Sequence, residues 1–191
     1  MLAMQRAVVT RLLTEMTPDE ALAAGRLLES VWPGRGADGR AEQLLTMGST
    51  YTGPPERAPR SFLVYDEDKV IGHALVFHRR VVTEQGELST LALAMVASDP
   101  DYRGQGLGAL VVKQAFAMID KGVYPFCFYQ TSFPVESFYE KLGACRVTNK
   151  IVNSLSSEDP EANPFWDDLV MRYPAEREWP EGVIDLQGPG Y

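Results

Sequence analysis

The period of hydrophobic and polar positions changes several times along this chain, and each change marks a predicted element. Residues 7–13 (AVVTRLL) read as a first strand. Thr17 then stands as an N-cap, with Pro18 at the first helical position and Glu20 closing a capping box. The helix they open runs to about Val31 and stops at Trp32-Pro33-Gly34. A short helix follows over 40–48 and a loop over 52–60. Two β-rich runs flank Asp66-Glu67-Asp68, a hairpin signal, and a further strand covers about 86–97. Leu107, Val111, Ala115 and Met118 keep helical spacing, which predicts a helix over about 106–121 that Gly122 ends. Residues 123–130 (VYPFCFYQ) read as a strand. Residues 134–143 read as a short helix, with Pro134 at its start and Gly143 just past its end. Residues 145–153 and 168–173 predict two last strands, and a tail rich in Pro and Gly begins at Pro174. This order makes the chain α+β, with an antiparallel run of strands before a βαβ-like half.

Composition narrows the picture. The 191 residues, 45% of them hydrophobic, suit one domain spanning 1–191 with a real core. A net charge of −8 with no basic patch speaks against a nucleic-acid partner. An acidic surface serves solubility and also favours a cationic small substrate. The cysteines, Cys127 and Cys145, form no CxxC pair. The histidines, His73 and His78, lie five apart on one strand and so on opposite faces. Neither pair prepares a metal site, and no metal is expected. The N-terminus lacks the pattern of a signal peptide, and the longest apolar run, Leu91–Ala97, is too short to span a bilayer. A cytoplasmic protein with reduced thiols and no membrane partner is expected.

The most informative segment is Asp101-Tyr102-Arg103-Gly104-Gln105-Gly106-Leu107-Gly108-Ala109. Three glycines in five residues sit between a predicted strand and a predicted helix. Glycine permits torsions that expose N–H groups, and the first helical turn adds unpaired donors and the positive end of the dipole. Such a turn suits a pyrophosphate. Three readings compete. One is a plain glycine turn. Another is a dinucleotide fingerprint, which Gly104-x-Gly106-x-x-Ala109 formally fits. That motif expects a turn directly after the first strand and an acid about 20 positions later, and residues 124–129 carry none. The third is acyl-CoA binding.

For the third reading, VASDPDYRGQGLGALVVKQ resembles the central motif of the GNAT superfamily (GCN5-related N-acetyltransferases), written Arg/Gln-x-x-Gly-x-Gly/Ala; Arg103, Gly106 and Gly108 fill it. The resemblance covers about residues 60–150. It implies a mixed, mostly antiparallel central sheet flanked by helices, with a splay between two central parallel strands, 86–97 and 123–130. It also implies acetyl-CoA as co-substrate. The amides of Arg103, Gly104, Gln105, Gly106, Leu107, Gly108 and Ala109 would hold the pyrophosphate, and the backbone of Met95, Val96 and Ala97 would hold the pantetheine arm.

Residues 134–147 (PVESFYEKLGACRV) resemble the family's second hallmark, with Ala144 where phenylalanine is usual. The carry-over makes Tyr139 the acid that protonates the departing CoA thiolate. A phenol near pKa 10 stays protonated beside a thiol near 8.5. Val135, Phe138, Tyr139 and Leu142 also follow i, i+3, i+4, i+7, so packing competes as an explanation for Tyr139. Ser132 stands where many members carry an asparagine that contacts the pantetheine.

A base is harder to find. The strand segment Leu91–Met95 offers no carboxylate. Glu87 ranks first among the acids nearby, ahead of Glu84 and Asp99. Cys127 as a covalent nucleophile ranks well below burial. The tail, with Trp166, Trp179 and Tyr191, either staples itself to the body or offers carboxylates to an acceptor pocket. Together with the hairpin and the glycine segment it is distantly similar to aminoglycoside 2′-N-acetyltransferases.

These readings converge on transfer of acetyl from acetyl-CoA to a primary amine on a small molecule by direct attack. A non-catalytic acyl-CoA-binding module and a dinucleotide-binding oxidoreductase are the alternatives. The resemblance leaves room for a homodimer.

Overall fold

A computed structural model describes residues 6–191. They fall into two compact units, residues 6–77 with Met95–Ala115, and His78–Ala94 with Phe116–Tyr191. Three elements run through both.

In the first unit, β1 (Val8–Leu12) and β2 (Arg60–Asp66) are antiparallel, from Val8↔Val64 to Leu12↔Arg60. β2 pairs in turn with β3 (Lys69–Thr83), in a register that slips between Val64 and Tyr65. Helix α1 (Pro18–Val31) opens with the capping box read from the sequence. Thr17 Oγ1 accepts from the Glu20 amide at 3.3 Å, and the Thr17 amide donates to Glu20 Oε2 at 2.9 Å. Helix α2 (Ala37–Ser49) begins earlier than the predicted 40–48, because Gly36, at φ 76°, turns the chain directly into it. A Cβ at Gly25 would lie 2.3 Å from Ala37 O, so glycine is what lets α1 and α2 approach this closely. Leu28, Leu44, Leu63 and Ile71 are fully buried in this unit. It also holds the end of β4 (Gly86–Ser98), a 3₁₀ turn (Pro100–Tyr102) and the start of α3 (Leu107–Asp120).

In the second unit, the end of β3 turns at residues 84–85 into the start of β4, where Thr83 Oγ1 donates to Gly86 O. β4 lies parallel to β5 (Phe126–Thr131) for three residue pairs, Thr90↔Phe126, Leu91↔Cys127 and Ala92↔Phe128. The pairing then stops while β5 continues to Thr131, which is the splay expected between the two parallel strands. On its other side β5 pairs antiparallel with β8 (Leu169–Tyr173) along its full length from Cys127.

Three predicted boundaries change here. The helix predicted over 134–143 is a 3₁₀ turn (Phe133–Val135) followed by the single-turn α4 (Glu136–Glu140). Its C-terminal part is a closing turn, in which Gly143, at φ 92°, and Ala144 donate to Glu140 O and Tyr139 O. The strand predicted over 145–153 is two, β6 (Cys145–Arg146) and β7 (Ile151–Val152), which take different partners, β8 and β9. Strand β9 (Ile184–Asp185), unseen in the sequence, comes from the tail and pairs with both β3 and β7. Two-residue strands are too short to display a period, so only tertiary pairing reveals them. Phe128, Phe165, Ile184 and Leu186 form a buried cluster with Trp179 and Tyr191 packed against it, so the tail is stapled to the body of this unit.

Among the described residues the secondary structure is therefore α+β: a mostly antiparallel open sheet, with parallel pairs at β4–β5 and, over two residues, at β7–β9, and helices flanking it. Among the described residues no helix is long and apolar enough to cross a membrane.

Candidate active site

In the first unit the glycine segment is fixed at its entrance and open at its exit. Asp99 follows β4; its amide donates to Ile71 O at 2.9 Å, and its Oδ1 accepts from the Asp101 amide at 2.9 Å. Lys69 Nζ lies 2.7 Å from its other oxygen. Burial pushes the Asp99 carboxyl up, but the Lys69 ammonium and the Asp101 amide outweigh it and hold the group below the usual carboxylate range. Tyr102 donates to Asp66 Oδ2, and Lys69 and Arg6 stand over its ring. Gly104 and Gly106 then take φ of 79° and 75°, with open space where a Cβ would be. Their need for glycine is conformational rather than steric.

Gly106 O accepts from Leu110 N at 3.1 Å, so Gly106 is the last residue before the helix and has no side chain to cap it. The amides of Leu107, Gly108 and Ala109 have no partner within the helix and stand at the positive end of its dipole. Arg103 and Gln105 are exposed beside them.

The strand before the loop carries an irregularity that spacing could not reveal. Met95 has φ 51°, a left-handed torsion inside a strand. Such a residue interrupts the alternation of the strand, as a bulge does. Its carbonyl accepts from His73 Nδ1 at 2.8 Å. Met95 and Val96 are half-buried and Ala97 is buried.

In the second unit, Tyr139 is buried on α4. Burial pushes its phenol well up, and the Cys127 sulfur adds to this, while a hydrogen bond donated by the Thr131 side chain acts in the opposite direction. Tyr129 of β5 lies beside it, with ring centroids 4.9 Å apart. The Tyr129 hydroxyl is buried with no hydrogen-bond partner among the described residues. Sequence reasoning passed over Tyr129, because one tyrosine in an apolar strand looks like any other core residue.

Burial pushes the Cys127 thiol far up, which leaves it inert as a nucleophile at neutral pH. Ser132 is half-buried ahead of the 3₁₀ turn, and its side chain caps nothing there. Glu87 is exposed at the start of β4, its carboxylate 3.5 Å from Arg80. Glu84 accepts from the Val183 amide of the tail at 3.5 Å. His78 bonds Ser89 and stacks on Tyr124. Leu91–Met95, the middle of β4, carries no carboxylate.

Residues 58–143 match the family model of the acetyltransferase (GNAT) domain. The matched stretch, under half of the chain, is similar to an acetyltransferase domain and contains both the glycine segment and Tyr139. No curated protein matches the chain significantly in sequence. Solved structures share the fold. A putative acetyltransferase of the GNAT family from Desulfovibrio desulfuricans is 20% identical over 88% of this chain and 99% of its own, with a TM-score of 0.59. Glucosamine-6-phosphate N-acetyltransferase from Arabidopsis thaliana is 16% identical over 80% and 99%, with a TM-score of 0.55. A probable N-acyltransferase from Enterococcus faecalis is 18% identical over 73% of this chain, with a TM-score of 0.54. The match spans only a third of that protein, and a third of a GCN5-related N-acetyltransferase from Kribbella flavida. Nothing in these matches bears on the narrower likeness to aminoglycoside 2′-N-acetyltransferases.

Proposed function

We propose that this protein transfers acetyl from acetyl-CoA to a primary amine on a small molecule, in the cytoplasm. The observation that carries the reading is the glycine segment: two left-handed glycines lead into the uncapped start of a 14-residue helix, inside the stretch that matches the acetyltransferase domain. Amides in that state suit a pyrophosphate. The backbone of Met95–Ala97 takes the pantetheine arm and Ser132 lends it a hydroxyl.

The amine attacks the thioester carbon directly. A tetrahedral intermediate forms and collapses with loss of CoA thiolate. Tyr139 donates its proton to that thiolate. Its raised pKa suits a donor that must stay protonated. It does not block the transfer, since a thiolate formed in the same dry surroundings is itself made more basic. The orphaned Tyr129 hydroxyl supplies a second donor nearby. Glu87 stands as the candidate base only through solvent, because it is exposed at the start of β4 and paired with Arg80. An amine that arrives neutral needs no base before attack, and the proton its nitrogen sheds on becoming the amide returns through solvent to the Tyr139 phenolate.

Calorimetric titration with acetyl-CoA and, separately, NAD tests the reading, with Gly106→Trp as the blocked loop. Acetyl-CoA binding that Gly106→Trp abolishes is expected, followed by thiol release with a panel of small amines. Absence of acetyl-CoA binding by the wild type would overturn it. Binding with no turnover on any amine would favour the acyl-CoA-binding module instead.

A further inference from the structure

The left-handed residue in β4 is held from behind by two buried polar side chains. Ser61 of β2 and His73 of β3 are both fully buried. Ser61 pairs with Leu75 and His73 with Leu63, so Ser61 and His73 are diagonal neighbours on one face of the hairpin. Ser61 Oγ lies 2.9 Å from His73 Nε2, and His73 Nδ1 lies 2.8 Å from Met95 O.

The direction of these bonds follows from the groups themselves. A carbonyl only accepts, so Nδ1 carries the hydrogen. A neutral imidazole has one N–H, so Nε2 is bare and the Ser61 hydroxyl donates to it. Burial keeps the ring neutral, lowering its pKa to about 4 against the smaller upward effect of the Met95 carbonyl. The chain Ser61 to His73 to Met95 is thus polarised in one sense.

A methionine at φ 51° costs about 1–2 kcal/mol. Strain of this kind persists where its surroundings over-determine it, and it concentrates at functional sites. The Met95–Val96 peptide is planar and trans, so its N–H points opposite to its carbonyl. With Met95 O tied to His73, the Val96 N–H is aimed away from β3.

Resting on the acetyl-CoA reading above, we propose that His73, steered by Ser61, is a positioning residue. It locks the Met95–Val96 peptide so that the Val96 N–H donates to the acyl carbonyl of the thioester. The donor then stabilises the oxyanion of the tetrahedral intermediate without moving during the reaction. His73 itself touches no substrate.

The test compares three replacements at His73 with CoA, acetyl-CoA and carbonyl-¹³C acetyl-CoA. Asn places its amide nitrogen near the Nδ1 position and keeps the donor to Met95 O. Gln places its amide near Nε2, fills the space and keeps Ser61 bonded, but loses Met95. Leu removes both bonds. In the wild type and His73→Asn, the bound acyl carbonyl should absorb at lower frequency than in solution, and acetyl-CoA should bind better than CoA. His73→Gln and His73→Leu should return the band toward its solution position. They should also cut the preference for acetyl-CoA over CoA about fivefold, the worth of one hydrogen bond. CoA affinity itself should fall by less than this, since the same backbone also holds the pantetheine arm. Equal spectra and preferences for the Asn and Gln variants would overturn the proposal, and this comparison stands even where the Leu variant fails to fold. A wild type that binds no acetyl-CoA would overturn the enzymatic reading and this inference with it. A wild type that binds it with an unshifted carbonyl band would overturn this inference alone.

Discussion

Tyr129 and Tyr139 lie side by side, ring centroids 4.9 Å apart, with hydroxyls in opposite states: Thr131 bonds the Tyr139 hydroxyl, whereas nothing among the described residues bonds that of Tyr129. Burying a hydroxyl without a partner costs about 1–3 kcal/mol. Tyr129→Phe should therefore leave the unliganded protein as stable or make it more stable, and lower its affinity for acetyl-CoA. Thermal melts with and without cofactor check both parts. Unchanged cofactor affinity would show that the hydroxyl serves no ligand.

Tyr139→Phe should behave differently. It loses the Thr131 hydrogen bond, about 1 kcal/mol of stability, and the proposed proton donor to the thiolate. We expect kcat to fall about 100-fold, with acetyl-CoA affinity changed less than threefold. Steady-state kinetics of thiol release paired with calorimetry measure the two. A variant with full kcat would return Tyr139 to a packing role.

The Asp99 carboxylate joins the end of β4 to the glycine segment through Lys69 and the Asp101 amide. Asp99→Ala should lower stability by about 1 kcal/mol, the usual worth of such a cap. It should also weaken acetyl-CoA binding more than Lys69→Ala does, since Lys69 is half exposed. Affinity equal to the wild type in Asp99→Ala would mean that the loop holds its shape unaided.

His73 sets a pH dependence. Its pKa falls from 6.5 to about 4 on folding, so between these values the unfolded chain binds the proton and the folded chain does not. Stability is therefore complete above about pH 6.5 and declines as pH falls toward 4, by about 3 kcal/mol in all. Denaturant melts at pH 7, 5.5 and 4.5 should show the decline in the wild type and a flatter profile in His73→Asn. Parallel profiles would assign the acid sensitivity to other groups.

Glu87→Gln tests the candidate base. Its ion pair with Arg80 is exposed at 3.5 Å, an arrangement worth little. We expect a thermal midpoint within about a degree of the wild type and kcat/KM within about threefold. A larger loss confined to kcat/KM at low pH would make Glu87 the base after all.

Much of the candidate site was legible in local sequence. The Thr17 to Glu20 capping box, the glycines at 104 and 106, the helix from Leu107 and the turn at Gly143 each depend on residues a few positions apart, and backbone preference alone marks them. The splay was expected only through resemblance to a family, and the pairing that stops at Ala92 and Phe128 fits it. Tyr139 was singled out by a motif, while Tyr129, on an apolar strand, gave no signal of its own.

The sequence by itself determined the α+β class, the order of the main elements and the place where a glycine turn leads into unpaired helix amides, because those follow from periodicity, caps and glycine torsions acting over one or two turns. Tertiary structure alone decided that Ser61, His73 and Met95 form a hydrogen-bonded chain across 34 residues, that Tyr129 keeps a buried hydroxyl unpartnered, and that Ile184 and Asp185 of the tail become a strand. Each of these depends on which buried groups the strand register brings within about 3 Å, and no local preference encodes that distance.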